Sequence, residues 1–205
     1  FYQLLAAPEE YKAQIWSGLE DTDNESFCYV GWTDTNTIEG RTDEQRFQLT
    51  LQSLALVGVV DDKLKTLLRA ICIVLQLGNV EFESLDDDKS KISTDDELLD
   101  LAELMGIPPD ELAVALLVRT VTAKGETFQV PLKAETAKDS TDAFAKEIYA
   151  KTFLWLVRMI NDATCAEKNY SSAERDQKFG IIGLLDIFGF ETFEVNRFEQ
   201  LCINY

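Results

Sequence analysis

Three residues near the end of the chain have the types and spacing for phosphate chemistry. They are Asp186, Gly189 and Glu191, in the run Leu184-Leu185-Asp186-Ile187-Phe188-Gly189-Phe190-Glu191. An apolar stretch, Phe179 to Leu185, delivers the Asp186 carboxylate at its C-terminal end. A charge placed there is costly unless something pairs with it. A magnesium-nucleotide site is one such partner: the carboxylate binds the ion or its waters, and a glycine amide approaches a phosphate. The pattern has a second reading, in which Asp186 caps a turn or helix and Gly189 is a simple turn residue. Spacing alone leaves both open.

The rest of the composition narrows the chemistry. The chain of 205 residues has no histidine, which removes Ser-His-Asp and Cys-His catalysis and most zinc sites. Cys28, Cys72, Cys165 and Cys202 are scattered, with no Cys-x-x-Cys pair, and read as reduced; Cys72 and Cys202 lie in apolar runs and read as packing residues. With 19 basic and 37 acidic residues the net charge is −18, which argues against a nucleic-acid backbone or an anionic membrane as partner. Hydrophobic content of 46% supports a substantial core. No apolar run reaches the length of a membrane span. Phe1 at one end, and Tyr205 inside a helical-looking segment at the other, suggest a piece of a longer polypeptide.

The elements that must position these residues are mostly helical. A short helix is expected over 9–19 after Pro8, then a polar loop with a short strand at 27–30. Thr42-Asp43-Glu44-Gln45 is a capping box opening a helix that Gly58 stops. A second helix begins near Asp61, with Gly78 as its stop, and a short strand follows at 80–82. Asp86-Asp87-Asp88 lacks the alternating ligands and central glycine of an EF-hand, and reads as a solvated acidic loop. Thr94 to Glu97 is another capping box, for a helix ending at Gly106, and Pro108-Pro109 starts the next, to about Leu117. Residues 119–131 form a hairpin-like segment centred on Lys124-Gly125. The longest helix runs over about 133–161, with Ala145, Tyr149, Phe153, Leu156 and Ile160 in one apolar stripe. Residues 179–185 read as a buried strand suited to the centre of a sheet.

Residues 184–205, ending Asn196-Arg197-Phe198-Glu199-Gln200-Leu201-Cys202-Ile203-Asn204-Tyr205, closely resemble the switch II loop and the start of the relay helix of the myosin motor domain. The resemblance extends over the whole chain in family order. It includes Phe1-Tyr2-Gln3-Leu4-Leu5, Leu75 to Phe82, and Asp142-Ala143-Phe144-Ala145-Lys146. It implies a fragment of an α/β, P-loop-NTPase-like motor domain, itself mostly α-helical with one buried strand and a few short strands. Residues 1–178 would be the upper 50 kDa region, with an actin-facing loop at about 119–131 and a long helix at about 133–161. Residues 179–205 would be strand, switch II and relay start. Asp186 would hold waters of the Mg2+ shell, the Gly189 amide would bond the γ-phosphate of ATP, and Glu191 would pair with an arginine of the first switch. Asn196, Phe198 and Glu199 would begin the relay helix. Arg197 stands where the family has a small polar residue.

A second site follows from the resemblance by register. Counting back 16 residues from Asp142 gives Glu126, an actin-facing position at which some relatives carry a phosphorylated Ser or Thr; Thr127 is its neighbour. The parent protein would be a cytoplasmic, cytoskeleton-associated motor that moves along actin filaments by ATP hydrolysis. It would carry light chains or calmodulin and a cargo or tail partner. The chain has no Gly-x-x-x-x-Gly-Lys-Ser/Thr phosphate loop and no first switch, so the fragment alone is expected to be inactive. The alternative is a non-catalytic actin-binding or scaffold protein that keeps the fold. An upstream phosphate loop and first switch, intact or degraded, would separate the two.

Overall fold

The computed structural model describes residues 1–35, 37–123, 125–165, 182–185 and 189–205, with Ala123 and Glu199 described by their backbone alone. It divides into two units, Phe1–Thr164 and Cys165–Tyr205. In the first, α1 (Tyr2–Leu5) and α2 (Glu9–Ile15) are followed by single 3-10 turns at Ser17–Leu19 and Asn24–Ser26. Then come α3 (Asp43–Leu56), α4 (Asp61–Asn79), β1 (Phe82–Ser84), β2 (Ser90–Ile92), α5 (Asp95–Met105), α6 (Pro109–Leu117), β3 (Val118–Ala123), β4 (Glu126–Pro131) and α7 (Ala134–Thr164). No described helix is long and apolar enough to cross a membrane.

Helix α4 is the axis. Val74 to Gly78 are all buried, so its second half is enclosed on every side. One side joins Leu4, Trp16, Leu19, Phe27 and Phe47; the other joins Val80, Leu101, Leu112, Leu116 and Ala145. The Thr42 box forms as expected, with the Thr42 hydroxyl accepting from Gln45 N and Gln45 Oε1 accepting from Thr42 N. Gly58 has φ +74, the left-handed conformation that suits a helix stop.

Four local expectations are corrected. Residues 27–30 turn rather than extend, because Val30 N and Gly31 N both donate to Phe27 O. Gly78 does not stop α4 but lies within it. A Cβ there would sit 3.0 Å from the Tyr29 ring, so glycine gives clearance for packing. Thr94 does not close a capping box. Its hydroxyl accepts from Glu81 N at 3.1 Å, while Gln76 Nε2 donates to the Glu97 carboxylate at 2.6 Å, so both members serve other elements. Cys202, expected to pack, is exposed, whereas Cys72 is buried.

The two sheets among the described residues are antiparallel hairpins. In the first, Phe82 faces Ile92 and Ser84 faces Ser90, with Asp86 to Asp88 in the connecting loop. The second pairs Val118 with Pro131 through to Ala123 with Glu126. Gly125 at its turn has φ +84.

Helix α7 has 31 residues, about 46 Å at 1.5 Å rise. Its buried line is Ala137, Thr141 and Ala145, small residues one turn apart that let it approach α4 closely. The expected stripe continues only in part. Leu156 packs with Trp155 and Met159 against Val59 and Leu67, but Tyr149, Phe153 and Ile160 are exposed.

In the second unit the expected buried strand is not found where it is described. Residues 182–185 adopt no strand, and Ile182, Leu184 and Leu185 are 91%, 97% and 82% exposed. A strand buried on both faces needs neighbours to take its hydrogen bonds. Among the described residues β1 to β4 pair only with one another. Residues 179–181 lie outside the described set. The unit's one described helix is α8 (Phe198–Asn204).

Candidate functional site

The second unit is organised around its loop and α8. Asn196 turns the chain before the helix: its Nδ2 donates to Phe193 O at 2.7 Å, and its Oδ1 accepts from Phe193 N at 3.4 Å. Arg197 is the N-cap, and its amide donates to Gln200 Oε1 at 2.8 Å. The Arg197 amide is therefore satisfied by the Gln200 side chain.

At the far end of α8, Asn204 reaches back to the loop. Its Oδ1 accepts from Glu191 N at 2.7 Å, and its Nδ2 donates to Glu191 O at 2.6 Å. One side-chain amide thus takes both backbone groups of Glu191, as a neighbouring strand would. Both residues are half-buried, so water competes for these bonds less than it does at an open surface. The clamp fixes the backbone two residues after Gly189 to the last turn of a helix. Among the described residues, no atom lies within 4 Å of the position a Gly189 Cβ would take.

Of the expected site residues, Gly189, Glu191, Asn196 and Phe198 thus share one loop-helix unit, and Glu199 lies in the same helix by its backbone. Phe198 is exposed. Asp186 lies outside the described residues. Asn204 was not singled out from the sequence. The available signal was an asparagine in a helix's last turn, where its poor helix propensity calls for a reason.

Glu126 belongs to the first unit. It opens β4 and is exposed at the hairpin tip, paired with Ala123. Strand alternation puts Glu126 on one face with Phe128 and Val121, a directly opposed pair that is also exposed, while Thr127 and Thr122 share the other face. A one-residue slip in register therefore changes the face, not only the residue.

The Asp142 motif that sets this register is itself held in a polar network. The Tyr29 hydroxyl donates to Asp142 Oδ1 at 2.5 Å, and Lys138 lies 3.4 Å from the same oxygen. Lys138 Nζ also donates to Gly78 O at 2.9 Å and stands 5.5 Å from the Tyr29 ring centroid. Burial, with Asp142 beside it, raises the Tyr29 pKa well above the ordinary phenol value. Among the described residues, no group of three or more His, Cys, Asp or Glu side chains converges to hold a metal directly.

The profile of the family described as "Myosin head (motor domain)" matches residues 1–205. Unconventional myosin-Ic of Rattus norvegicus is 36% identical over 205 residues, covering 100% of this chain and 19% of that protein. Unconventional myosin-Vb of Mus musculus is 38% identical over 209 residues, with 100% of this chain and 11% of that protein covered. The myosin-I heavy chain of Dictyostelium discoideum is 35% identical over 211 residues, 100% of this chain and 8% of that protein. The chain therefore spans a fifth or less of the length of these curated relatives.

Proposed function

Given that the chain belongs to the myosin head (motor domain) family, we propose that it is part of an actin-based motor that couples ATP hydrolysis to movement along actin filaments. Residues 1–178 are the upper 50 kDa region, and residues 179–205 hold switch II and the relay start. The parent protein is cytoskeleton-associated and carries light chains or calmodulin and a tail or cargo partner.

The observation that carries this reading is the Asn204 clamp on Glu191. A phosphate sensor must pass its state to a rigid element, and here the loop that holds Gly189 and Glu191 is tied through its backbone to α8. The clearance around Gly189 among the described residues fits a phosphate oxygen meeting a backbone amide. A Mg2+ ion would supply electrostatic stabilisation of phosphoryl transfer from ATP. Asp186 would hold waters of the ion's shell, Gly189 would donate its amide to the γ-phosphate, and Glu191 would pair with the first-switch arginine and position the attacking water. Loss of the phosphate releases Gly189, and α8 carries the change away from the site. Glu126 faces actin as a fixed negative charge.

This chain holds only part of that site, since it contains neither phosphate loop nor first switch. Purified residues 1–205 therefore have no saturable magnesium-dependent ATPase. In the full-length protein, Gly189→Ala abolishes the phosphate burst, because a methyl group occupies the approach to the amide. A normal burst in that variant contradicts the assignment.

A further inference from the structure

The hairpin of Glu126 does not stand on its own root. Its two ends meet where Leu132 N, just after β4, donates to Leu117 O, the residue before β3, at 2.8 Å. That leaves the Leu132 carbonyl at a buried position, since Leu132 is 6% exposed. Ser90, on β2 of the other hairpin and 9% exposed, donates its hydroxyl to this carbonyl at 2.8 Å. Ser90 in turn is fixed by pairing with Ser84, and the neighbouring Ile92 packs into the second core cluster beside Leu116. The outer link between the hairpins, Lys133 to Asp88 at 3.3 Å, joins two exposed side chains and adds little. The buried hydroxyl is therefore the stronger of these two polar links.

We propose that Ser90 is a positioning residue for the actin-facing hairpin. Its hydroxyl holds the root at Leu132, and the first hairpin thereby sets the angle at which Glu126, Phe128 and Val121 are presented. The inference rests on the reading that this hairpin faces actin. Removing the hydroxyl leaves a buried carbonyl without its partner, and the cheapest response is for the root to open toward water. Glu126 then samples several orientations, and only a fraction of them match the filament.

The test uses the full-length protein with actin filaments, comparing Ser90→Ala, Glu126→Ala and the parent. In Ser90→Ala the actin concentration for half-maximal activation rises about fivefold, with the maximal rate and the actin-free rate retained. Amide exchange accelerates over residues 118–132 but not over α3. A shifted midpoint in Glu126→Ala with an unchanged midpoint and unchanged hairpin exchange in Ser90→Ala overturns the positioning role. Unchanged midpoints in both variants overturn the actin-facing reading itself. Acceleration of exchange across α3 as well assigns Ser90 to general stability and also overturns the proposal.

Discussion

Asparagine 204 is the most direct place to test whether the loop and α8 move as one. Asn204→Ala removes two hydrogen bonds, of 2.7 and 2.6 Å, to the backbone of Glu191. A neutral hydrogen bond has a net worth of about 1 kcal/mol, so the clamp contributes about 2 kcal/mol. That is a factor of roughly 30 in the ratio of clamped to released loop. Asn204→Asp is nearly isosteric and separates the two bonds. The carboxylate still accepts from Glu191 N, but its second oxygen now faces the Glu191 carbonyl. One bond is replaced by repulsion, and the loss is of similar size. The assay is amide exchange of the Glu191 N–H in the full-length, nucleotide-free protein, read with the phosphate burst. Both variants are expected to exchange roughly 30-fold faster at Glu191 and to show a reduced burst. Unchanged exchange at Glu191 in Asn204→Ala would refute the clamp. Faster exchange with a normal burst would refute its part in the chemistry.

Other substitutions and probes give separate outcomes. Glu126→Ala lowers the ratio of actin-activated to actin-free ATPase, and a ratio unchanged from the parent excludes Glu126 from the interface. Arg69→Ala removes the guanidinium bonds to Ile15 O at 3.0 Å and Leu104 O at 2.9 Å; it weakens the last turns of α2 and α5 by about 2–3 kcal/mol, measured by hydrogen exchange. Burial pushes the Cys72 thiol up to about 12, so at pH 8 iodoacetamide labels the exposed Cys28 and spares Cys72 until the protein unfolds. Glu9 is held below the ordinary carboxylate range, first by its hydrogen bond with Lys12 and then by the Asp21 amide. The stability it contributes is complete above the unfolded pKa and is lost as pH falls through the lower folded value. Acid titration of Glu9→Gln therefore lacks this part of the pH dependence.

The helices and the second hairpin were legible because their signals are local. The Thr42 box, the glycines at 58, 106 and 125, and Pro108-Pro109 each act within a few residues. Readings failed where a residue answers to a distant element. Gly78 looks like a helix stop until the Tyr29 ring is placed against it. Thr94 and Glu97 have the spacing of a cap, but Glu81 and Gln76 compete for them and win. At the candidate site, Gly189 and Glu191 were visible as types at a spacing. Asn204 was not, because its role depends on a chain reversal over residues 191–204 that no periodicity announces. Residues 182–185 show the limit of hydropathy: an apolar run states a preference for burial, and only paired neighbours make it a strand.

The use of cations follows from the same competition. With 19 basic residues against 37 acidic ones, positive charge is scarce in this chain. Neither α4 nor α5 has a basic residue in its last turn to meet the carbonyls exposed there. Other helices supply the cations. Lys138 of α7 donates to Gly78 O near the end of α4. Arg69 of α4 serves the ends of both α2 and α5, through Ile15 O and Leu104 O. Each bond satisfies a terminal carbonyl and joins two elements at once, which a cap within the same helix cannot do. A helix end whose cap comes from another helix forms fully only when both helices are docked. The ends of these helices therefore depend on packing as well as on local stops such as Gly106.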